Sequence, residues 1–427
     1  MTHHNLVLFF IQLAVMLACA LLCGQLLRRL HQPAVLGELL GGILIGPTVF
    51  GMLAPDWYGR LFPVSESLAV GQDAVIKLGM LFFMFAAGLE VDLAHLRQKG
   101  WVALLTGGLG IAVPFGLGLG AVLLLPDLWG AQAGSNPLLF GLFIGAALSI
   151  TALPVIARIL VDLNLLNQDF GVVVMVAATL NDLIGWSLFA LILSNMAPGS
   201  VPSQNTSITL GLVFGFFALT LLLGRWLSLK VLPWLQTRIA WPSGFIGLAA
   251  VLVLLAAATA ETIGVHSFFG AFLVGVGLGQ SIERPQRAFE AVHQFAISFL
   301  APIYFVSIGL QANFAAHFDW LLVLMVTVVA CAGKIIGAGL GAWLGGMPGR
   351  TALAIGFAMN ARGAMEIILA SIALDYGLID QRLFVALIIM ALVTSILSGP
   401  AIRQLLPARS VVCRGAAGGD LTADLGF

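Results

Sequence analysis

The chain of 427 residues is 60% hydrophobic and only 9% charged, against about 45–50% apolar and about 25% charged for a soluble domain. Nineteen basic and nineteen acidic residues cancel, which excludes both a basic face for nucleic acid and an acidic interaction arm. Cys19, Cys23, Cys331 and Cys413 lack Cys-x-x-Cys spacing and a His partner at zinc-finger distance, so neither a disulfide framework nor a structural or transition metal is expected.

A bilayer core about 30 Å thick takes about 20 apolar residues per helix. On that ruler the sequence predicts an all-α polytopic membrane protein of 13 spans, embedded in lipid. They lie near 5–27, 33–53, 71–90, 101–125, 137–161, 170–194, 207–229, 244–261, 265–281, 291–311, 319–343, 350–373 and 382–405. The ninth is short and abuts the eighth, so a twelve-span reading that merges them stays open. Alternate connections carry fourteen Lys and Arg, and the opposite set carries Arg60 and Arg382. Positively charged loops stay inside, which puts the amino terminus outside and the carboxyl terminus in the cytoplasm. No Lys or Arg precedes the first span and Arg28 and Arg29 follow it, so it is expected to be a retained helix and not a signal peptide. The remainder is loops and tails, and a regulatory module would come as a separate subunit.

A charge at the bilayer centre costs about 2.5–3.5 kcal/mol, so each ionisable group in a span calls for a function. In chain order, Glu38 falls near the end of span 2 and is expected at the interface. Asp73 and Lys77, four apart near the outer end of span 3, form a structural pair. Span 5 holds GAALSITALPVIARIL from Gly145 to Leu160, in which Pro154 lacks an N–H and crowds the carbonyl four residues back, that of Ile150. Ser149 and Thr151 add hydroxyls at this break. Asp182 lies midway along span 6 in AATLNDLIGW, with Thr179 one turn earlier, Asn181 beside it and no cation in the same span. Glu261, at a helix end, is expected at the interface. Lys334 is central in span 11. Span 12 carries FAMNARGAMEI from Phe357 to Ile367, with Asn360 and Gly363 at its middle. Its Arg362 and Glu366, four apart, form either a structural ion pair or part of the site.

The broken spans are the fifth and the twelfth, seven apart. That offset fits a block of six spans repeated with inverted direction, with span 7 as connector. Interrupted helices at corresponding places in two halves point to a midplane site in a secondary transporter. Asp182, the hydroxyls of Ser149, Thr151 and Thr179, and the Ile150 carbonyl are hard oxygen ligands suited to a small hard cation such as Na+ or K+. Lys334 and Arg362 would balance the carbonyl ends of the half-helices. One carboxylate can hold a proton or a cation but not both, which suffices for exchange if the site faces each side in turn. A cation channel, proton-gated or otherwise, and a sodium-coupled organic solute symporter compete with this reading. An enzyme is not expected, since neither His-Glu-x-x-His nor Gly-x-Ser-x-Gly lies in a span.

The runs LFFMFAAGLEVDL (Leu81 to Leu93), SITALPVIARIL (Ser149 to Leu160), Asn181-Asp182, HSFFGAFLVGVGLG (His266 to Gly279), PIYFVSIGL (Pro302 to Leu310), Lys334 and NARGAMEI (Asn360 to Ile367) together resemble the cation:proton antiporter-2 family, the Kef-type and NapA-type sodium or potassium/proton antiporters. The resemblance implies a homodimer in the bacterial inner membrane with crossed discontinuous helices, alternating access by an elevator motion, and no cofactor beyond the transported ions. It divides the chain into a dimer domain (1–95 and 241–315), a core transport domain (96–200 and 316–406), a linker helix (201–240) and a cytoplasmic tail (407–427). It implies that Asp182 binds the cation and the proton, with Asn181 as its partner, Thr151 as a crossing-helix hydroxyl and Lys334 as the facing base. Electrogenic relatives carry two adjacent acids where this chain has Asn181 and Asp182, which favours an electroneutral 1:1 exchange. Kef-type nucleotide or glutathione gating is not expected, because no nucleotide-binding domain follows span 13.

Overall fold

The computed structural model describes residues 2–406, apart from 31, 64, 91–99, 131–132, 135, 164, 166–167, 195–205, 232–242, 264–265, 280–285 and 312. The loop charges Arg97, Lys99, Arg238 and Arg284 and the tail 407–427 lie outside the described residues.

Among the described residues all regular structure is helical. In chain order the helices are α1 (His3–Arg29), α2 (Ala34–Ile45), α3 (Phe50–Leu53), α4 (Pro55–Leu61), α5 (Glu66–Glu90), α6 (Gly100–Leu124), α7 (Pro137–Ser149), α8 (Leu153–Asp162) and α9 (Asp169–Ser194). There follow α10 (Thr206–Trp226), α11 (Ser243–Thr262), α12 (Ser267–Gly279), α13 (Gln286–Phe295), α14 (Ala301–Gln311), α15 (Trp320–Leu344), α16 (Gly349–Met359), α17 (Ala364–Asp375) and α18 (Gln381–Leu405). Nine described helices are long and apolar enough to cross a bilayer, ten if α16 and α17, bent by 43° at their junction, count as one. The protein is a multi-pass membrane protein.

Where span 9 is expected, α12 has 13 residues, short of the bilayer ruler, and it stands apart from α11. Four glycines in those 13 residues explain how it packs so closely. A Cβ on Gly275 would lie 2.9 Å from Cα of Gly88 on α5, and one on Gly42 of α2 would lie 2.9 Å from Cα of Gly309 on α14. Gly37, Gly42 and Gly46 recur as Gly270, Gly275 and Gly279 with the same spacing. Their surroundings match as well: Gly37 meets α1 at Cys23 and Gly24, and Gly270 meets α11 at Ala256 and Ala257. Backbones approach this closely in membranes through small residues, where van der Waals contact replaces hydrophobic driving force.

α13 and α14 are joined through a π turn, Ala296–Leu300, just before Pro302, where the ring's missing N–H spoils a regular ladder. The fold centres on α6 and α15, which pack along their lengths, with α7 and α9 on α6 and with α16 and α18 on α15. That bundle holds the buried Ser149, Asn181, Asp182 and Lys334.

Candidate ion-binding site

The expected break in span 5 is present, but its place differs. α7 ends at Ser149, Ile150 is extended, and α8 begins at Leu153, so Pro154 stands in the first turn of the second half-helix, where an N–H has no partner to lose. The carbonyls taken up by side chains are those of Ala147, Leu148 and Ser149, one to three residues before Ile150, whose own role as a ligand comes only from its place in the break. α16 likewise ends at Met359, and α17 starts at Ala364. The two breaks bond to each other. Ala152 N–H donates to the Ala361 carbonyl at 3.1 Å, and the Thr151 hydroxyl stands 3.0 Å from the Met359 carbonyl. The two interrupted helix pairs, α7 with α8 and α16 with α17, are therefore tied to each other at their breaks.

The carboxyl end of α7 leaves carbonyls without helical partners and carries the negative end of the helix dipole. Two cations cap it. Arg362 donates to Ala147 O (3.0 Å) and Leu148 O (2.6 Å), and Lys334 donates to Ser149 O. Both side chains are fully buried. Arg362 also pairs with Glu366 at 2.6 Å, and Glu366 lies in the first turn of α17, where the dipole favours an anion. The Arg362–Glu366 pair is thus both an ion pair and a helix cap. The matching end of α16 gets neutral groups, Thr151 and Asn360, and the Asn360 amide nitrogen reaches Cys331 Sγ at 3.3 Å.

Lys334 has two further acceptors. One is the Gly110 carbonyl on α6 at 2.8 Å. Pro114, four residues on inside α6, has no N–H to give that carbonyl, which leaves it free for Lys334. The sequence reading missed Gly110, and Pro114 was the available signal. The other acceptor is Asn181 Oδ1 at 2.7 Å, while Nδ2 donates to Gly107 O at 3.0 Å. This amide orientation is the one that matches donors to acceptors, because the reverse would face an NH2 to an ammonium. Thr151, with one proton, serves either Met359 O or Asn181 Oδ1, 3.2 Å away.

Asp182 sits next to this network, 2% exposed, and its Oδ1 has no hydrogen-bond donor. Lys334 bonds to the neighbouring Asn181 and not to Asp182. The hydroxyls expected as ligands are engaged within helices: Ser149 Oγ donates to Gly145 O at 2.6 Å and Thr179 Oγ1 to Met175 O at 2.9 Å. Each keeps oxygen lone pairs, but Ser149 enters the centre through its carbonyl. Asp73 and Lys77 pair at 2.8 Å and are exposed, whereas Glu38, expected at the interface, is buried among α1 and α2 with Oε2 unpartnered.

A buried acid beside a crossing of broken helices, faced by a lysine, is a transporter's arrangement. The model of the sodium/hydrogen exchanger transmembrane family matches residues 15–408. The chain belongs to that family. Cation/H(+) antiporter 18 of Arabidopsis thaliana is 34% identical over 94% of this chain and 49% of its own length, and the chain spans about half the length of the plant relatives it matches. The Na(+)/H(+) antiporter NhaS4 of Synechocystis is 30% identical over 96% of this chain and 99% of its own. The sodium proton antiporter MjNhaP1 from Methanocaldococcus jannaschii has the same fold, with a TM-score of 0.65 over 94% of this chain and 98% of that chain at 16% identity.

Proposed function

We propose that this protein is a secondary active monovalent cation/proton antiporter in which Na+ or K+ competes with a proton for Asp182. The observation that carries the reading is the Asp182 carboxylate, buried beside the crossing with an oxygen that has no donor. An ion bound there would find the neutral oxygens of Asn181 and Thr151 close by. Since Asn181 is neutral and the ammonium of Lys334 is occupied by three oxygens, one carboxylate alternates between H+ and M+ and the cycle moves no net charge.

The thirteen-span, inverted-repeat topology is part of the proposal, and the packing supports it. Under a shift of seven spans, the pair α2–α14 becomes α12–α5, α1–α2 becomes α11–α12, and the glycine contacts map onto each other. The core would be the bundle around α6 and α15, sliding as an elevator against a dimer domain built from α1, α2, α5 and α11 to α14, with α10 as linker. A homodimer, residence in the inner membrane, and an outside amino terminus with a cytoplasmic carboxyl terminus belong to the same proposal.

The test is exchange in proteoliposomes carrying a pH dye. Adding Na+ or K+ to acid-loaded vesicles dequenches the dye in wild type and fails to do so in Asp182→Asn, with both proteins eluting as folded species in detergent. Proton-coupled flux retained in Asp182→Asn would overturn the assignment. Cation flux that needs no proton gradient would favour a channel.

A further inference from the structure

Gln311 is the last residue of α14, so its carbonyl has no partner within the helix. Two residues of the core bundle reach it. Ser371, buried one turn before the end of α17, donates its hydroxyl to Gln311 Oε1 at 3.2 Å, and Nε2 of Gln381, the first residue of α18, stands 3.5 Å from the Gln311 carbonyl. A third contact joins the same two bodies at the same face. The ring of His266, just before α12, lies 6.0 Å from that of Tyr376, which caps α17. The turn between α17 and α18 is thereby held against the end of α14 and the start of α12.

The internal repeat supplies a comparison. α5 ends in Gly88-Leu89-Glu90 and α14 in Gly309-Leu310-Gln311, and Gly88 and Gly309 make equivalent close approaches to α12 and α2. Glu90 and Gln311 are therefore counterparts at opposite faces. Glu90 Oε1 stands 2.8 Å from His293 Nε2 of α13, which belongs to the same body as α5, whereas Gln311 is bonded across to α17 and α18. Of two equivalent helix ends, one is fastened to the core and the other to its neighbour in the dimer domain.

Alternating access moves one body against the other around a site that stays intact. A bond between the two bodies at one face holds that face shut and has to part before it opens. Both bonds of Gln311 join neutral groups, which hold less firmly than bonds to charge and suit a contact made and broken in every cycle. We propose that Gln311 is the pin that closes the face at which α14 and α17 end, the outer face in the orientation given above, and that its bonds to Ser371 and Gln381 part when the site turns to that side. The proposal rests on the exchange reading and on the division into core and dimer domain.

The test reads closure and exchange separately. Ile368, fully buried, lies three residues before Ser371 on the same side of α17. Ile368→Cys is labelled with a membrane-impermeant thiol reagent from the outer face, above the background of the native cysteines, with and without Gln311→Met, which keeps the bulk and removes the side-chain acceptor. Labelling should be about tenfold faster without the pin, equivalent to about 1.4 kcal/mol. In the second arm, Gln311→Cys with Ser371→Cys is bridged by a short, reducible bifunctional thiol reagent, which should stop exchange until reductant restores it. Asp319→Cys with Arg382→Cys, an ion pair within the core, should still exchange when bridged. Unchanged labelling in Gln311→Met, exchange that continues across the 311–371 bridge, or equal block by the 319–382 bridge would overturn the proposal. Wild type that fails to exchange would overturn the proposed function, and the labelling arm would still decide whether Gln311 holds the face closed.

Discussion

Lys334 points its ammonium at the side-chain oxygen of Asn181, 2.7 Å away. With Gly110 O and Ser149 O it satisfies all three donors on neutral oxygens. Asn181→Asp would set a carboxylate against that ammonium and give the centre a second exchangeable proton. The expected result is a rate that responds to an imposed membrane potential, where the wild-type rate does not. A variant that remains insensitive to voltage would show that the added acid stays locked to Lys334.

Arg362, itself fully buried, holds Glu366 and two carbonyls of α7. Arg362→Ala removes one partner of a buried pair and is expected to cost about 3–5 kcal/mol of stability, because the remaining carboxylate and carbonyls are stranded. The double variant Arg362→Met with Glu366→Met should be less damaged than Arg362→Ala alone. Thermal unfolding in detergent measures both, and equal midpoints would argue against a stranded charge.

The paired glycine contacts predict a position-specific effect. Gly42→Ala and Gly275→Ala each push a methyl into the facing backbone and are expected to cost about 1–3 kcal/mol through overpacking. An added Cβ on Gly120 meets nothing within 4 Å, so Gly120→Ala should be neutral or stabilising by about 0.5–1 kcal/mol. Melting of the three variants side by side would refute the contact argument if all fell together.

Asp319 caps α15, accepting from the N–H groups of Leu321 (3.0 Å) and Leu322 (3.2 Å), and pairs with Arg382. The Leu322 N–H bond, with help from Arg382, holds its carboxyl below the usual carboxylate range. A depressed folded-state pKa gives stability that is present above the unfolded value, about 3.9, and lost as pH falls through the folded one. The stability gap between wild type and Asp319→Ala should therefore stay constant from neutral pH to about 5 and close below about 4. A gap independent of pH would show that the cap does not depend on the charge.

The composition was enough for an all-helical membrane protein, and the membrane cost of charge singled out Asp182, Lys334, Arg362 and Glu366, which are all buried in the structure, Lys334 and Arg362 at the break between α7 and α8. What a length ruler cannot read is where a backbone turns. Pro154 marks the break in span 5 but sits after it, because a proline without an N–H fits the first turn of a new helix better than the interior of an old one. The partners of the hydroxyls were not legible either. Ser149 and Thr179 return their protons to carbonyls one turn back, a local option that sequence does not distinguish from a ligand role. The glycine contacts of α2 with α14 and of α12 with α5 were visible as equal spacings, but in an apolar run spacing alone does not name a partner helix.

The hydrogen bonds that join residues 151–152 to 359–361 have a kinetic consequence. Each broken helix is the other's splint, so in the elevator cycle proposed above the cradle around Asp182 would ride across the membrane without being taken apart. Turnover would then be governed by how fast one bundle glides over its neighbour, and the ion's surroundings at departure and at arrival would be the same.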